Sequence, residues 1–200
     1  MLLRTWCASW RKNVSQLDRL DQLLAGDERV LVAFWHGKYF PLFALAEGRT
    51  FTVLAAPSFR GEVIAKLCRR FGYEAAMIPV QEAASHGHSV RSLLSTKKTV
   101  ALAVDGPLGP FHQVKPNLTR LASDLQFLIV PVSVASRPKL VLRRWDFREL
   151  PYPFAKVVLS VGEPIRIPGS VGSHLSTDWP SVVREALVVA DDDAEVRLRQ

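Results

Sequence analysis

The segment VLVAFWHGKYFPLF, from Val30 to Phe43, decides the fold class of the chain. It opens with the apolar run Val30–Phe34 and then places a histidine, a glycine and a lysine before apolar residues resume. A continuous apolar run of this length is typical of a strand that is covered on both faces. An ionisable imidazole beside a glycine, directly after such a strand, indicates a turn that carries function.

Short apolar runs alternate with helix-like segments along the rest of the chain. The candidate strands are Val30–Phe34, Phe51–Ala55, Ala76–Val80, Val100–Val104, Leu128–Val134, Leu140–Trp145 and Val157–Val161. The candidate helices between them are Lys38–Ala46, Gly61–Phe71, Ser89–Ser95 and Pro116–Ser123. This alternation predicts an α/β fold with a mostly parallel central sheet flanked by helices. The later strands are more polar, and we expect them to form an edge or an antiparallel extension.

Both ends of the chain differ from this α/β region. Apolar residues between positions 2 and 24 recur at steps of three or four, which predicts an N-terminal amphipathic helix. This helix either packs on the domain or lies at a membrane surface, with Trp6 and Trp10 at headgroup depth. Near the other end, the sequence predicts a helix over Pro180–Val189, with Asp191–Asp193 in a frayed polar tail.

The chain therefore divides into three parts. We expect the N-terminal helix in residues 1–28, the α/β domain in residues 29–168, and the C-terminal helix with its polar tail in residues 169–200.

Composition limits the class of protein and its partners. Of the 200 residues, 48% are hydrophobic and 22% are charged, which is typical of a globular chain. The formal net charge of +7 favours an anionic partner, such as nucleic acid, a phospholipid headgroup or a phosphorylated substrate. The two cysteines have no metal-site spacing and suit a reducing compartment. Because the sequence has neither a long apolar span nor a secretory leader pattern, we expect a cytoplasmic protein.

Three polar clusters follow predicted strands, at the sheet edge where ligands of open α/β folds bind. They are His36–Lys38, Pro57–Gly61 and Asp105–Pro110. His36 is a candidate general base, since an imidazole can take up a proton near neutral pH. Asp105 begins either an ordinary Asp-Gly turn or a loop that positions a substrate. The cations Lys38, Arg60 and Lys115 lie near the same edge and are candidates to neutralise a phosphate.

Two other groups of residues raise the question of a binding site: a pair of histidines, and a set of basic and aromatic residues. A loop at the start of a helix explains His86 and His88 adequately, so we predict no metal site there. The cations Lys139, Arg143, Arg144 and Arg148 surround Trp145 and Phe147, which suits stacked nucleotide bases or a bilayer surface. Because no nucleic-acid-binding signature accompanies them, we expect no nucleic-acid partner.

Five segments occur in a characteristic order along the chain. They are FWHGKYFP, GEVIAKLCRRFGY, VALAVDGPLGP, VKPNLTRLAS and the stretch that runs from LIVPVSVASRPKLV to VGEPI. Together they resemble the uncharacterised-domain branch of the lysophospholipid acyltransferase superfamily, which includes acyltransferases acting on lipid A precursors. The resemblance extends from about Val30 to Ile167 and implies an acyltransferase-like α/β fold.

The resemblance also implies a reaction and a place in the cell. A fatty acyl group would pass from an acyl thioester, acyl-CoA or acyl carrier protein, to a hydroxyl of a membrane lipid or lipid-linked acceptor, without a cofactor. The protein would attach peripherally to the inner face of the cytoplasmic membrane. His36 matches the catalytic base of the superfamily, and Asp105 begins its acceptor-binding block. We expect His36 and Asp105 to be catalytic and the following residues to bind substrate: Lys38, Ser58, Arg60, Glu62, Gly106, Pro107 and Lys115.

The carboxylate that orients the base is absent from its usual places. The superfamily has an aspartate five residues after the histidine, where this chain has Pro41. The branch has an aspartate before a Gly-Glu pair, where this chain has Arg60. Glu62 and Asp105 are the remaining candidates to orient His36.

Two alternatives to an active acyltransferase stay open. The first is a degenerate homologue that binds lipid without turnover. The second is a serine hydrolase with a triad of Ser58, His36 and Asp105, although the chain lacks the G-x-S-x-G elbow of such enzymes.

Overall fold

One eight-stranded sheet organises the chain, whose computed structural model describes residues 2–55, 57–78, 88–106, 109–169 and 177–200. The strands are β1 (Arg11–Asn13), β2 (Arg29–Phe34), β3 (Thr52–Ala55), β4 (Glu74–Met77), β5 (Thr99–Ala103), β6 (Phe127–Val141), β7 (Glu149–Val161) and β8 (Ile165–Arg166). The helices are α1 (Leu2–Ala8), α2 (Leu17–Ala25), α3 (Tyr39–Leu45), α4 (Phe59–Arg70), α5 (His88–Ser95), α6 (Pro116–Asp124) and α7 (Trp179–Arg199). A 3₁₀ turn over His36–Lys38 joins β2 to α3.

The strands follow the order β1-β7-β6-β2-β5-β3-β4, and β8 pairs with β6. All neighbours from β6 to β4 are parallel, as are β1 and β7. Only the pairs of β6 with β7 and with β8 are antiparallel among the described strands. The predicted α/β fold with a mostly parallel central sheet is therefore confirmed.

Strand β2 lies in the middle of the sheet and is covered on both faces. Val30, Val32 and Phe34 face one hydrophobic core, and Leu31, Ala33 and Trp35 face the other. Successive side chains of a strand point to opposite faces, so an uninterrupted apolar run can fill two cores at once. This arrangement explains why the run that starts at Val30 has no polar residue before His36.

The β6–β7 pair differs from the prediction. The expected strands Leu128–Val134 and Leu140–Trp145 are not separate, because β6 continues for 15 residues as far as Val141. It lies between β2 and β7 inside the sheet, and its antiparallel pairing with β7 agrees with the expected antiparallel extension. Residues 142–148 then turn back, closed by a hydrogen bond from Leu142 N to Arg148 O (2.9 Å). We refer to residues 142–148 as the β6–β7 turn.

The two ends of the chain pack against the sheet. The predicted N-terminal helix is present as two short helices, α1 and α2, with β1 between them. The predicted frayed tail is wrong, because α7 extends to Arg199. Asp191 and Asp193 accept hydrogen bonds from Ser133 and Ser160 of the sheet, which holds this acidic segment in the helix. Of the helices in the described ranges, none has both the length and the apolar character needed to cross a membrane.

Candidate active site

The site begins where two neighbouring parallel strands end together. Phe34 of β2 is in register with Ala103 of β5, and two residues beyond this pair lie His36 and Asp105. The backbone N–H of His36 donates to Oδ1 of Asp105 across 2.8 Å. The structure therefore brings together the histidine and the aspartate that the sequence places 69 residues apart.

The carboxylate of Asp105 is fully buried and ties two turns together. Its second oxygen accepts a hydrogen bond from the backbone N–H of His112 at 3.3 Å. Burial raises the pKa of Asp105, and the hydrogen bonds from the two backbone N–H groups oppose this only in part. Both hydrogen bonds come from backbone N–H groups, so Asp105 fixes the position of the turn that begins at His36. It does not bind the imidazole, which has a different partner.

That partner is Asp146, in the β6–β7 turn. Nδ1 of His36 lies 2.9 Å from Oδ2 of Asp146, whose side chain is completely buried. The same oxygen accepts a hydrogen bond from Nη2 of Arg148 at 2.8 Å. Burial alone would raise the pKa of Asp146, but the hydrogen bond with His36 and the charge of Arg148 lower it below its ordinary value. The lowered pKa of Asp146 favours its ionised form, and the hydrogen bond orients this carboxylate toward the imidazole.

Asp146 corrects the sequence prediction for the orienting carboxylate. Glu62 is exposed on the first turn of α4, and Asp105 binds main chain. Asp146 follows His36 by 110 residues, so a motif around His36 cannot reveal it. The available signal was the group of aromatic and basic residues around Trp145, which includes this one aspartate.

Gly37 allows the β6–β7 turn to approach the histidine. A Cβ atom at this position would lie 2.2 Å from the backbone oxygen of Asp146. Real Cβ atoms do not approach a backbone oxygen so closely, so any larger residue would push the turn away. The glycine beside His36 is therefore needed for the contact between His36 and Asp146.

The imidazole is held on its other sides by aromatic rings and a second glycine. The centroid of its ring lies 5.5 Å from that of Tyr39 and 5.1 Å from that of Trp145. A Cβ atom on Gly106 would lie 3.1 Å from Cδ2 of His36. The His36 side chain keeps a quarter of its surface exposed. Because Nδ1 faces Asp146, Nε2 is the ring nitrogen left to exchange a proton with a substrate.

Lys38 does not act as a free cation of this site. Its Nζ donates to Oε1 of Glu149 at 2.8 Å and to the backbone oxygen of Val134 at 3.1 Å. Only 12% of the Lys38 side chain is exposed, and Lys139 also pairs with Glu149. This ion pair joins the turn after β2 to β7, and a contact of Lys38 with a phosphate of the substrate stays a prediction.

The other predicted substrate-binding residues have different surroundings. The Ser58 hydroxyl accepts a hydrogen bond from Gly61 N at 3.1 Å and so caps α4. Lys115 is half-buried at the start of α6. The N–H of Gly106 donates to the oxygen of Ala103 at 3.3 Å. The side chain of Arg60 and the whole of Pro107 lie outside the described residues.

An apolar cavity adjoins the site behind Tyr39. It has a volume of about 50 Å³ and is lined by side chains of α2, α3 and the sheet, among them Leu20, Phe43 and Val132. A cavity of about 150 Å³ holds one benzene molecule, so this one is too small for a fatty acyl chain as it stands.

Within the described ranges, no three histidine, cysteine, aspartate or glutamate side chains form a group that fits a metal ion. The residues 79–87, which include His86, and the side chain of His88 lie outside these ranges.

Comparison with known proteins finds similarity to a curated protein sequence and, in fold, to a solved structure. A curated but uncharacterised protein of Rickettsia prowazekii (strain Madrid E) is 24% identical over 169 residues, which cover 80% of this chain and 75% of that protein. The crystal structure of the 1-acyl-sn-glycerophosphate (LPA) acyltransferase PlsC from Thermotoga maritima matches with a TM-score of 0.54 at 18% identity. The match covers 99% of this chain and 79% of PlsC. No model of a known protein family matches the chain. The chain therefore has the fold of this acyltransferase.

Proposed function

We propose that the protein is an O-acyltransferase with His36 as its general base. It moves a fatty acyl group from an acyl thioester, either acyl-CoA or acyl carrier protein, to a hydroxyl of a lipid or lipid A-type acceptor. The observation that carries this proposal is the hydrogen bond between His36 and the buried Asp146, at a strand end of an acyltransferase fold.

The reaction follows from the placement of the two side chains. Asp146 accepts the Nδ1–H of His36 and selects the tautomer in which Nε2 is free to act as a base. Nε2 takes the proton of the acceptor hydroxyl as its oxygen attacks the thioester carbonyl. The tetrahedral intermediate then expels the thiolate, which takes the proton from the imidazolium and leaves as a thiol. Asp146 stabilises the imidazolium between these two proton transfers.

Other residues of the site have supporting roles in this proposal. The carboxylate of Asp105 positions His36 because it accepts a hydrogen bond from the backbone N–H of His36. Ser58, Arg60, Glu62, Gly106, Pro107 and Lys115 remain proposed contacts of the substrate. The N–H of Gly106 is already engaged with Ala103, so the oxyanion of the intermediate needs another donor.

The buried carboxylate favours an active enzyme over a degenerate lipid-binding homologue. The reason for that alternative was the absence of the superfamily's aspartate, and Asp146 supplies a carboxylate from a different element. The serine hydrolase has no such support, because the Ser58 hydroxyl caps a helix. We further propose that the protein works at the inner face of the cytoplasmic membrane, where lipid-linked acceptors are found.

A transfer assay tests the proposal. Purified protein is incubated with labelled acyl-CoA or acyl carrier protein and, in separate reactions, with 1-acyl-glycerophosphate or a lipid A precursor. We expect label in at least one acceptor with the wild-type chain and a loss of at least about a hundredfold in His36→Ala. Absence of transfer from every donor, with intact lipid binding, would favour the non-catalytic homologue. Equal turnover in His36→Ala would refute the assignment of the base.

A further inference from the structure

Two exposed phenylalanines stand beside the catalytic imidazole. The side chains of Phe111 and Phe147 are 40% and 48% exposed, and their rings pack edge to face with centroids 4.9 Å apart. Phe147 has a φ of 44°, a left-handed conformation that is rare for a large residue. The backbone thus adopts an unfavourable conformation at a residue whose ring is left half in water.

The two phenylalanines belong to loops that pack against each other at the site. A Cβ atom on Gly109 would lie 3.0 Å from Cε3 of Trp145, whose ring centroid is 5.1 Å from that of His36. We call Phe111, Trp145 and Phe147 the aromatic rim. Exposed apolar side chains that form a contiguous group are a feature of surfaces that contact a partner or a membrane.

The exposed charges of the β6–β7 turn are all positive. Arg143 and Arg144 are exposed beside the rim. The one acidic residue of the turn, Asp146, is buried between His36 and Arg148. Aromatic rings that flank exposed arginines match a bilayer surface, where an apolar interior lies beneath anionic phosphates.

Trp6 and Trp10, which the sequence also suggests as membrane contacts, pack against the rest of the protein. Trp6 donates its Nε1–H to the oxygen of Pro151 at 2.9 Å, and Trp10 is only 4% exposed. Both rings also contact Phe40 of α3, with centroids 5.7 and 6.1 Å from its ring. These side chains stabilise the packing of the N-terminal segment on the domain and are not free to enter a membrane.

We propose that the aromatic rim is the membrane-docking surface of the protein. Phe111 and Phe147 insert at the level of the headgroups, and Arg143 and Arg144 bind the phosphates of anionic lipids. This inference rests on the proposed function, because it places His36 at the depth where the hydroxyl of a lipid acceptor lies. The exposed part of the imidazole then faces the bilayer, and the acceptor does not have to leave it.

Vesicle flotation tests the docking surface without any turnover. The full chain is mixed with vesicles of phosphatidylcholine alone or of phosphatidylcholine with phosphatidylglycerol, and the bound fraction is measured. We expect binding to the anionic vesicles, reduced at least about tenfold in Phe111→Ser/Phe147→Ser. Phe154→Ser is the matched control, because Phe154 is 72% exposed on β7, next to Ser9 of the N-terminal segment.

Reversing the charge of the exposed arginines provides a second test in the same vesicle assay. Arg143→Glu/Arg144→Glu is expected to weaken binding to anionic vesicles at least about tenfold. Arg11→Glu/Lys12→Glu makes the same change in net charge on the exposed residues of β1 and is expected to have a smaller effect. Circular dichroism of each variant shows that it is folded.

Several results would overturn the docking surface. These are no vesicle binding by the wild-type chain, equal losses in the rim variants and their controls, or equal binding to neutral and anionic vesicles. Binding of RNA or DNA that depends on Arg143 and Arg144, without vesicle binding, would also overturn it. The His36→Ala variant separates the two proposals, since it should lose acyl transfer and keep vesicle binding.

Discussion

At the scale of single residues, the site depends on how closely backbone can approach the imidazole of His36. Gly37 admits the oxygen of Asp146, and Gly106 lies against the edge of the ring. Neither contact leaves space for a methyl group without a shift of the neighbouring atoms. The short distance between the side chains of His36 and Asp146 therefore depends on the close approach of the backbone as well as on the two side chains.

Gly37→Ala tests this dependence. Because the added Cβ would meet the Asp146 oxygen at 2.2 Å, the β6–β7 turn must move away from His36. We expect a loss of about 1–3 kcal/mol in the free energy of unfolding. A displacement of the carboxylate by about 1 Å should also lower kcat for acyl transfer at least tenfold. Urea unfolding and steady-state kinetics measure the two effects.

Gly26→Ala is the matched control for this variant. Its φ is −66°, and an added Cβ would meet its nearest neighbour at an ordinary 3.5 Å. We expect unchanged kinetics and a change in stability below about 1 kcal/mol. Wild-type stability and kcat in Gly37→Ala would contradict the close approach of the turn.

At the scale of elements, an ion pair fastens the turn after β2 to the outer part of the sheet. Lys38 and Glu149 are each only 12% exposed, and Lys139 contacts the second oxygen of Glu149 at 2.9 Å. Glu149 begins β7 directly after the β6–β7 turn, so this pair and the pair of His36 with Asp146 join the same two segments.

A double-mutant cycle measures the contribution of this ion pair. Removing one partner of a buried pair leaves the other charge without full compensation, so Lys38→Met should cost about 3 kcal/mol of unfolding free energy. Lys38→Met/Glu149→Leu should lose less than the sum of the single variants, because both charges are then gone. Lys98→Met, at an exposed lysine, should change stability by less than about 0.5 kcal/mol. Additive losses in the cycle would show that the two side chains are not coupled.

The elements also show which parts of the structure the sequence could predict. Strand β2 and the turn after β5 are local patterns: an apolar run that ends at a histidine, and an aspartate that ends the neighbouring run. Parallel strands end at one edge, so the meeting of His36 and Asp105 follows from the two patterns and the fold class. The sequence underestimates the length of α7, because Asp191 and Asp193 have the character of a solvated end. Only the fold shows that Ser133 and Ser160 donate hydrogen bonds to them.

At the scale of the whole molecule, the position of Asp146 could not be predicted from the sequence. It depends on the length of β6, on the reversal of the chain at residues 142–148 and on the space left by Gly37. Each of these is a tertiary feature, and each had to be known before an aspartate 110 residues away could be assigned to His36. The same reversal places the aromatic rim beside the site.

The proposed acyl transfer and the proposed membrane docking depend on the same part of the molecule. The chain has the fold of an acyltransferase, and Phe111 and Phe147 are exposed on the two loops that pack beside His36, with Arg143 and Arg144 exposed on one of them. A protein arranged in this way can receive a hydroxyl directly from a lipid surface. The transfer assay and the vesicle assay examine the two halves of this account separately.

The pairing of His36 with Asp146, whose side chains meet at 2.9 Å, is tested by a kinetic cycle on the two residues. Acyl transfer is measured for the wild-type chain, His36→Ala, Asp146→Asn and the double variant, with Asp193→Asn as the control for an aspartate of α7. We predict that Asp146→Asn lowers kcat at least about a hundredfold, and that the double variant is no slower than His36→Ala, because the two residues act as a unit. Wild-type kcat in a correctly folded Asp146→Asn variant would show that Asp146 does not assist His36 in acyl transfer.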